Sequence, residues 1–401
     1  MKKIFALSFL FVFLTSNAFA GTVNLPQTGQ TTCYDTAGSV IPCAGTGQDG
    51  EIQAGVAWPE PRFIDNGNDT MTDNLTGLMW AKNGNLYNEN MIWYQALIYC
   101  DNLTIGGYTD WRLSNVNELE SLINTNEADN AIWLNTQGFT NVQASNYWSS
   151  TTDAYSTDYA WLVNMWVGYM FGCGKYDCYS YFWPVRGEHC GSFVDSVICL
   201  PQTGQKINYC NKDDGALEMG IAWPTPRFAD HENGTVTDNL TGLMWTKDAD
   251  LSNDITWQPA LDYVKGMNAG TYENFGYTDW RLPNRKELRS LIDYSQYHLA
   301  LPVDHPFTNT QGDGTSNSHY YWSSTSDAEN PKFAWFVYIS DGGMSKSEKS
   351  YYYHVWPVRA GQVQTPGCST WTDVITKYNA YVSGQAVWND VIMCYTQYTS
   401  S

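Results

Sequence analysis

Apolar positions along this chain follow two periods, one helical and one extended, and the whole pattern is written twice. Trp93, Ala96, Leu97, Cys100 and Leu103 keep the three-and-four spacing that lines one face of a helix. Trp257, Ala260, Leu261, Val264 and Met267 repeat that spacing later, and Cys100 falls where the copy has Val264, so it reads as a core residue. A second helix is predicted to begin at Asn115, and its counterpart at Asn284. Glu118 and Glu287 stand three positions on, the arrangement of a capping box. Leu119, Leu122 and Ile123, like Leu288, Leu291 and Ile292, then face the core. Ahead of the helices lie an extended Trp-Pro-x-Pro-Arg-Phe stretch from Trp58 or Trp223, a turn, and a strand ending in Leu-Met-Trp. Behind them come short strands: Tyr-Trp-Ser-Ser-Thr, an Ala-Trp run from Ala160 or Ala334, and a closing Trp-Pro-Val-Arg. Helices early and strands late predict α+β domains.

The duplication is explicit. The run 72–80 recurs unchanged at 237–245, an offset of 165, and 107–113 recurs at 276–282, an offset of 169. Residues 147–151 return at 321–325, and 183–186 at 356–359. Small loop insertions account for the drift. The expected organisation is a leader at 1–20, modules at 21–189 and 190–362, and a tail at 363–401. In the tail, Trp-x-Asp-Val-Ile-x-x-Tyr from Trp371 repeats from Trp388, which predicts two short helices forming a small helical C-terminal unit.

These blocks resemble a known family. Asp-Asn-x-Thr-Gly-Leu-Met-Trp, Gly-Tyr-x-Asp-Trp-Arg-Leu-Pro-Asn-x-x-Glu-Leu, Tyr-Trp-Ser-Ser-Thr and a closing Val-Arg are similar to the Lcl C-terminal domain family, named for a collagen-like bacterial adhesin. The resemblance covers roughly 50–187 and 215–360, as two tandem copies. It implies an extracytoplasmic, adhesion-associated module and kinship with C-type-lectin-like, Trp-rich folds, each with two helices plus short antiparallel strands. Gly187 and Ala360 stand where those Trp-rich relatives carry a Cys, so that disulfide is not implied. No collagen-like repeat is present, so collagen-type assembly is not implied either.

The ends and the charge narrow the setting. Lys2 and Lys3, an apolar run from Ile4 to Leu14, and Ala18-Phe19-Ala20 form an export signal with cleavage expected after Ala20. Gly21 in place of Cys speaks against a lipid anchor. The apolar run is shorter than the roughly 20 residues a spanning helix needs. The expected location is therefore periplasm, cell surface or medium, with no membrane span. Asp and Glu number 41 against 21 Lys and Arg, for a net charge of −20, and loss of the two leader lysines takes it to −22. Such a field repels nucleic acid and anionic lipid. Eighteen Trp and 28 Tyr argue for a packed fold rather than disorder.

Ten cysteines in an exported chain predict disulfides. Sequence proximity suggests Cys33 with Cys43, Cys173 with Cys178, Cys199 with Cys210, and Cys368 with Cys394. Cys100 and Cys190 either pair or stay free. Zinc is disfavoured, since no Cys-x2-Cys or His-x3-His spacing occurs.

Candidate chemistry is sparse. Leu-Pro-Gln-Thr-Gly at 25–29 and 200–204 spells a wall-sorting signal, but it opens each repeat instead of preceding an apolar C-terminal segment, so it reads as a turn. Asp65, Asp69 and Asp73 resemble a calcium loop. The second copy keeps Asp230 and Asp238 but has Gly234 at the middle position, and Asn233-Gly234 is a hairpin dipeptide that explains the composition without an ion. Calcium remains the one ion this composition suits, and no other cofactor is expected. Asp110 with Arg112, and Asp279 with Arg281, read as a structural ion pair at the corner before the second helix. The six histidines share no spacing between copies. Trp80, Trp111, Trp148, Trp245, Trp280 and Trp322 are predicted core. The aromatics that differ between copies are the ligand candidates: Trp166, Tyr169, Tyr176 and Tyr179 in the first, Tyr351, Tyr352 and Tyr353 in the second. They suit stacking on a sugar or anchoring a protein, while the competing reading turns them into the sheet core.

The expectation is an exported, non-catalytic adhesion or ligand-binding protein that presents two modules to a glycan or protein. The competing readings are a secreted glycan-active enzyme with an acid pair hidden in the fold, and an envelope component docked through the tail.

Overall fold

The first repeat opens with a lead segment holding a two-stranded ribbon, β1 (Cys33–Tyr34) and β2 (Val40–Ile41), and one helical turn, α1 (Asp49–Ile52). A meander follows, β3 (Phe63–Asp65), β4 (Thr70–Asp73) and β5 (Met79–Ala81), then α2 (Trp93–Asp101), β6 (Arg112–Leu113), α3 (Val116–Ser121) and α4 (Asn130–Thr136). It closes with β7 (Asn146–Thr152), β8 (Tyr159–Asn164), β9 (Met170–Gly174), β10 (Tyr181–Phe182) and β11 (Pro184–Arg186). The second repeat has α5 (Asp214–Leu217) in its lead, then β12 (Phe228–Asp230), β13 (Thr235–Asp238), β14 (Met244–Thr246), α6 (Trp257–Asn268) and α7 (Arg285–Ser290). It ends with β15 (Tyr320–Ser326), β16 (Phe333–Tyr338), β17 (Met344–Glu348) and β18 (Val358–Arg359). This computed structural model describes residues 23–187, 198–310 and 320–359. The leader, Cys190, Cys368, Cys394 and the tail helices lie outside the described residues, and the chain divides between Arg359 and Ala360.

The mixed α+β expectation holds, with more sheet than helix. Asn115 and Asn284 cap their helices as predicted: each side chain accepts from the backbone N–H of Glu118 or Glu287, and those glutamates accept in return from the asparagine N–H. α2 buries Trp93, Ala96, Leu97 and Cys100 but ends at Asp101, so Leu103 falls beyond it. α4 has no counterpart element in the second repeat and was not predicted; Asp129 caps it by accepting from Ile132 N–H.

Both repeats feed one seven-stranded sheet in the order β10-β7-β8-β9-β17-β16-β15. At its middle Met170 pairs antiparallel with Met344, its own counterpart 174 positions on, so a local two-fold axis passes between β9 and β17. Side chains alternate across the pleat. Ala160 and Leu162 point to a core under α2, while Trp161 and Val163 point to the opposite face. Ala334 and Phe336 go likewise under α6, and Trp335 and Val337 oppose them. That opposite face is a single core built by both repeats, with Leu119 and Leu122 of α3 and Leu288 and Leu291 of α7.

All six shared tryptophans predicted as core are buried. Four of them, Trp111, Trp148, Trp280 and Trp322, also satisfy the indole N–H with a backbone acceptor. Trp148 donates to Met91 O and Trp322 to Ile255 O, at 2.9 and 3.0 Å. Trp93 and Trp257 donate to Ser149 O and Ser323 O, both at 2.7 Å. The same indoles thus tie helix to sheet in each copy.

The lead segments change places. Gln30, from the first lead, pairs its amide with Ser326 N–H and C=O at 2.9 and 2.7 Å; Gln205, from the second, does the same with Thr152 at 2.8 Å on both bonds. Asn284 Nδ2 donates to Ala54 O, and Asn115 Nδ2 donates to Met219 O. Each lead also holds its own repeat, through Thr28 O accepting from Thr125 N–H and Thr203 O accepting from Tyr294 N–H. The Leu-Pro-Gln-Thr-Gly runs are not the turns their composition suggests: Pro26 bridges Val56 and Pro201 bridges Ile221 in parallel register, and within the runs only Gly29 and Gly204 take a positive φ.

Candidate functional site

The strands that carry the variable aromatics sit where the two copies diverge. In the second repeat β15 and β16 turn Tyr320, Phe336 and Tyr338 to the face shared with α6. Tyr320 stacks on Tyr338 at 4.7 Å between ring centroids, meets Phe336 edge-on at 4.9 Å and lies 5.0 Å from Tyr353. Tyr353 continues the array to Trp322 at 4.5 Å. Tyr320, Tyr338 and Tyr353 are half-buried. Burial pushes the phenols of Tyr320 and Tyr353 up from their ordinary value, so they stay neutral hydrogen-bonding groups at physiological pH.

The first repeat has no such array. Asn146, Leu162, Asn164 and Ser180 occupy the corresponding positions, and Asn164 Nδ2 donates to Asn146 Oδ1 at 2.7 Å. Its exposed aromatics lie elsewhere. The Cys173–Cys178 disulfide closes the loop after β9 and presents Tyr176 and Tyr179, 60% and 64% exposed. Tyr176 leans on Tyr94 of α2 at 4.8 Å, and beneath it Lys175 lies 4.1 Å over the Trp93 ring. Trp166 is exposed in the turn between β8 and β9.

The predicted ligand residues therefore part company. Trp166, Tyr176, Tyr179, Tyr351 and Tyr352 are exposed, whereas Tyr169 packs against Trp335 at 5.7 Å and Tyr353 is half-buried against Trp322 at 4.5 Å. Tyr320 and Tyr338 went unnamed in the sequence. The signal that finds them is the difference between copies, tyrosine in one and asparagine in the other at two strand positions of equal register.

The aspartates weighed for calcium are held by protein cations. Asp65 accepts from Lys82 Nζ at 2.6 Å and Asp230 from Lys247 Nζ at 2.6 Å. Asp73 is fully buried, bridges Arg62 Nε and Nη2, and also accepts from Thr76 and Leu75 N–H; Asp238 does the same with Arg227, Thr241 and Leu240. This buried hub accounts for the conserved wording of the two Asp-Asn-Leu-Thr-Gly runs. Asp69 sits at φ 64° in the exposed hairpin turn. Among the described residues, no three His, Cys, Asp or Glu come close enough together to hold a metal ion.

The corner ion pair forms with other partners than expected. Asp110 takes Arg186, the closing arginine, at 2.7 Å, and Asp279 takes Arg359 at 2.6 Å. Arg112 and Arg281 instead clamp Glu118 and Glu287, the capping-box glutamates, through both guanidinium nitrogens. The Gly-Tyr-x-Asp-Trp-Arg motif and the closing motif of each repeat are thereby tied together. His354 Nδ1 lies 2.8 Å from Asp250 and 3.0 Å from Asp254.

Two disulfides match the sequence reading, Cys33–Cys43 and Cys173–Cys178. One does not. Cys199 is in a disulfide while Cys210 is a free thiol, so Cys210 is not Cys199's partner. Cys210 instead packs against the rim of the α2 core. Cys100 is free and buried on the helix face where its spacing placed it. Disulfides of this kind fit an oxidising compartment. No described helix is long and apolar enough to cross a membrane.

Compared with known families, residues 69–186 and 234–359 each match the model described as Lcl C-terminal domain. No curated protein matches the chain in sequence.

Proposed function

The chain belongs to the Lcl C-terminal domain family, and from that premise we propose that it is an exported, non-catalytic adhesion protein that binds a neutral glycan through its second repeat. The observation that carries this is the Tyr320–Tyr338–Tyr353 array, an aromatic surface on a rigid sheet with phenol groups at its edge. Flat rings beside hydroxyl donors and acceptors suit a pyranose, whose faces are apolar and whose rim is polar. The exposed Tyr351 and Tyr352 stand next in sequence to widen that surface. The net charge of −20 disfavours sulfated or otherwise acidic glycans. Binding is favoured over catalysis because Asp110, Asp279, Glu118 and Glu287 are committed to arginine pairs. A C-type-lectin-like module, helices against short antiparallel strands, is the fold we assign to each copy, and periplasm or cell surface is the setting.

A glycan array probed with the full exported chain and with a Tyr320→Asn/Tyr338→Asn double variant tests this. The first repeat already carries Asn146 and Asn164 at these positions, so the fold accommodates the change. The expected result is retention of neutral glycans by the parent and at least a tenfold loss in the variant, with an unchanged thermal midpoint. Equal binding by both, or no glycan held at physiological salt, sinks the reading; retention of an envelope protein instead would favour a protein ligand.

A further inference from the structure

Where α3 of one repeat meets α7 of the other, the facing residues are not copies. Asn117 and Glu120 hold the positions that Lys286 and Arg289 hold in the second repeat. Glu120 is ringed by three cations: Arg289 at 3.0 Å, Arg285 at 3.4 Å and Lys286 at 3.9 Å; Glu120, Arg285 and Lys286 are buried and Arg289 is nearly so. Arg62, the next cation, is already paired with Asp73. Burial would raise the Glu120 carboxyl, but Lys286, Arg289 and Arg285 outweigh it and hold the group below its ordinary value. One carboxylate then stands against three positive charges.

The excess faces a cavity. Lys286 and Arg289 line it with Glu120 and Asn117, and the opening segments of both leads, at Pro26 and Pro201, close it over. Arg285 stays outside the lining, donating to Gly168 O at 2.9 Å and lying 3.9 Å over the Trp335 ring. Arg289 donates through Nη1 to Asn117 and through Nη2 to Glu120. Lys286 Nζ and Arg289 Nε, both buried, have no hydrogen-bond acceptor in the protein. The cavity encloses about 460 Å³ counting its open mouth, and its buried interior is of the size that holds a single water or one small ion.

We propose that this cavity is a site for a small monovalent anion of chloride size, held by Lys286 Nζ and Arg289 Nε between the two repeats. A buried ammonium without a hydrogen-bonded counter-charge is costly, and an anion there offsets the cost while the Glu120 pairs stay intact. The lowering of Lys286 to about 8 by burial, only partly opposed by Glu120, is the same imbalance seen from the lysine. Because both leads close over the cavity, the anion also bridges the exchanged segments, and its binding is coupled to the joining of the two halves.

The test compares the full chain at pH 7 in sodium chloride and in sodium gluconate at matched ionic strength. The expected result is a saturable rise in thermal midpoint on the order of 2 °C in chloride, absent in Lys286→Met, which keeps the alkyl stem and removes the charge. Crystals of the parent grown with bromide in place of chloride are expected to show an anomalous peak within hydrogen-bonding reach of Lys286 Nζ. Matching midpoints in the two salts overturn the site, and so does a bromide map with only water there. The bromide map decides even if the variant fails to fold.

Discussion

Asp49 Oδ2 accepts a 2.7 Å hydrogen bond from Thr325 Oγ1, although 276 residues separate them, and Asp214 Oδ2 accepts one of the same length from Thr151 Oγ1. Each carboxylate takes a second hydroxyl from its own lead, Thr28 or Thr203. The two bonds are one interaction made twice across the local axis. They clip each lead onto the first of the closing strands, β15 or β7, of the other repeat, so neither repeat completes its own sheet face. A tandem duplication has in this way become a single compact unit up to Arg359, in which the copies are interlocked rather than strung together.

Interlocking predicts how the halves behave alone. Expressed separately, residues 21–189 and 190–362 each carry a lead with no strand to dock on and a β15 or β7 face with no lead. The expected outcome is no sharp thermal transition for either half, and a 1:1 complex with a sharp transition when both are co-expressed. Size-exclusion chromatography with circular dichroism reads this. Two halves that each fold as stable monomers would show that the exchange contributes little.

The same carboxylates set a pH dependence. Burial raises Asp49 from 3.8 to about 6 and Asp214 to about 7, against the threonine hydroxyls, which lower both. Glu287 and Glu118 nearby raise them slightly further. With the folded value above the unfolded one, the folded chain binds more protons between these limits. The stabilisation is complete below about pH 4 and is lost as pH rises through 6 to 7, on the order of 3 kcal/mol per group. Asparagine keeps an acceptor oxygen for both hydroxyls and cannot ionise. Asp49→Asn and Asp214→Asn are therefore expected to match the parent at pH 4 and to exceed it at pH 8 by roughly 3 kcal/mol each. Urea unfolding of parent and variants across that range checks it, and a constant difference at all pH values would refute the assignment.

What the sequence disclosed and what it hid follow from the range of the interactions. Capping boxes at Asn115 and Asn284 and the helical stripe from Trp93 to Cys100 are local, and both were legible. So were Cys33–Cys43 and Cys173–Cys178, whose partners are 10 and 5 residues apart. The lead exchange was not, because Gln30 with Ser326 and Asp49 with Thr325 leave no periodic trace in either segment. Arg186 with Asp110 was misassigned for the same reason: 76 residues separate them, whereas Arg112 stood two positions away and was engaged elsewhere. The tyrosine array draws on β15, β16 and the stretch before β18, and single-strand alternation marks its members only as sheet residues.

Cys100 and Cys210 are the free thiols among the described residues, and their surroundings predict opposite reactivity. Cys100 is fully buried under α2, and burial pushes its thiol far above the ordinary range. Cys210 is half-exposed; burial and then the Asp213 charge raise it, while Lys175 opposes them. Only the thiolate attacks an alkylating agent, and it must also be reached. Brief treatment of the native chain with iodoacetamide at pH 8, followed by peptide mass mapping, is expected to modify Cys210 and leave Cys100 untouched. The rate at Cys210 should climb about tenfold per pH unit while the thiol remains mostly protonated. Cys100 should react only after unfolding, because its protection comes from the α2 core and not from a covalent partner. Native labelling of Cys100 at a rate near that of Cys210 would mean that α2 opens readily from the sheet, and the buried stripe would lose its role as the anchor of that helix.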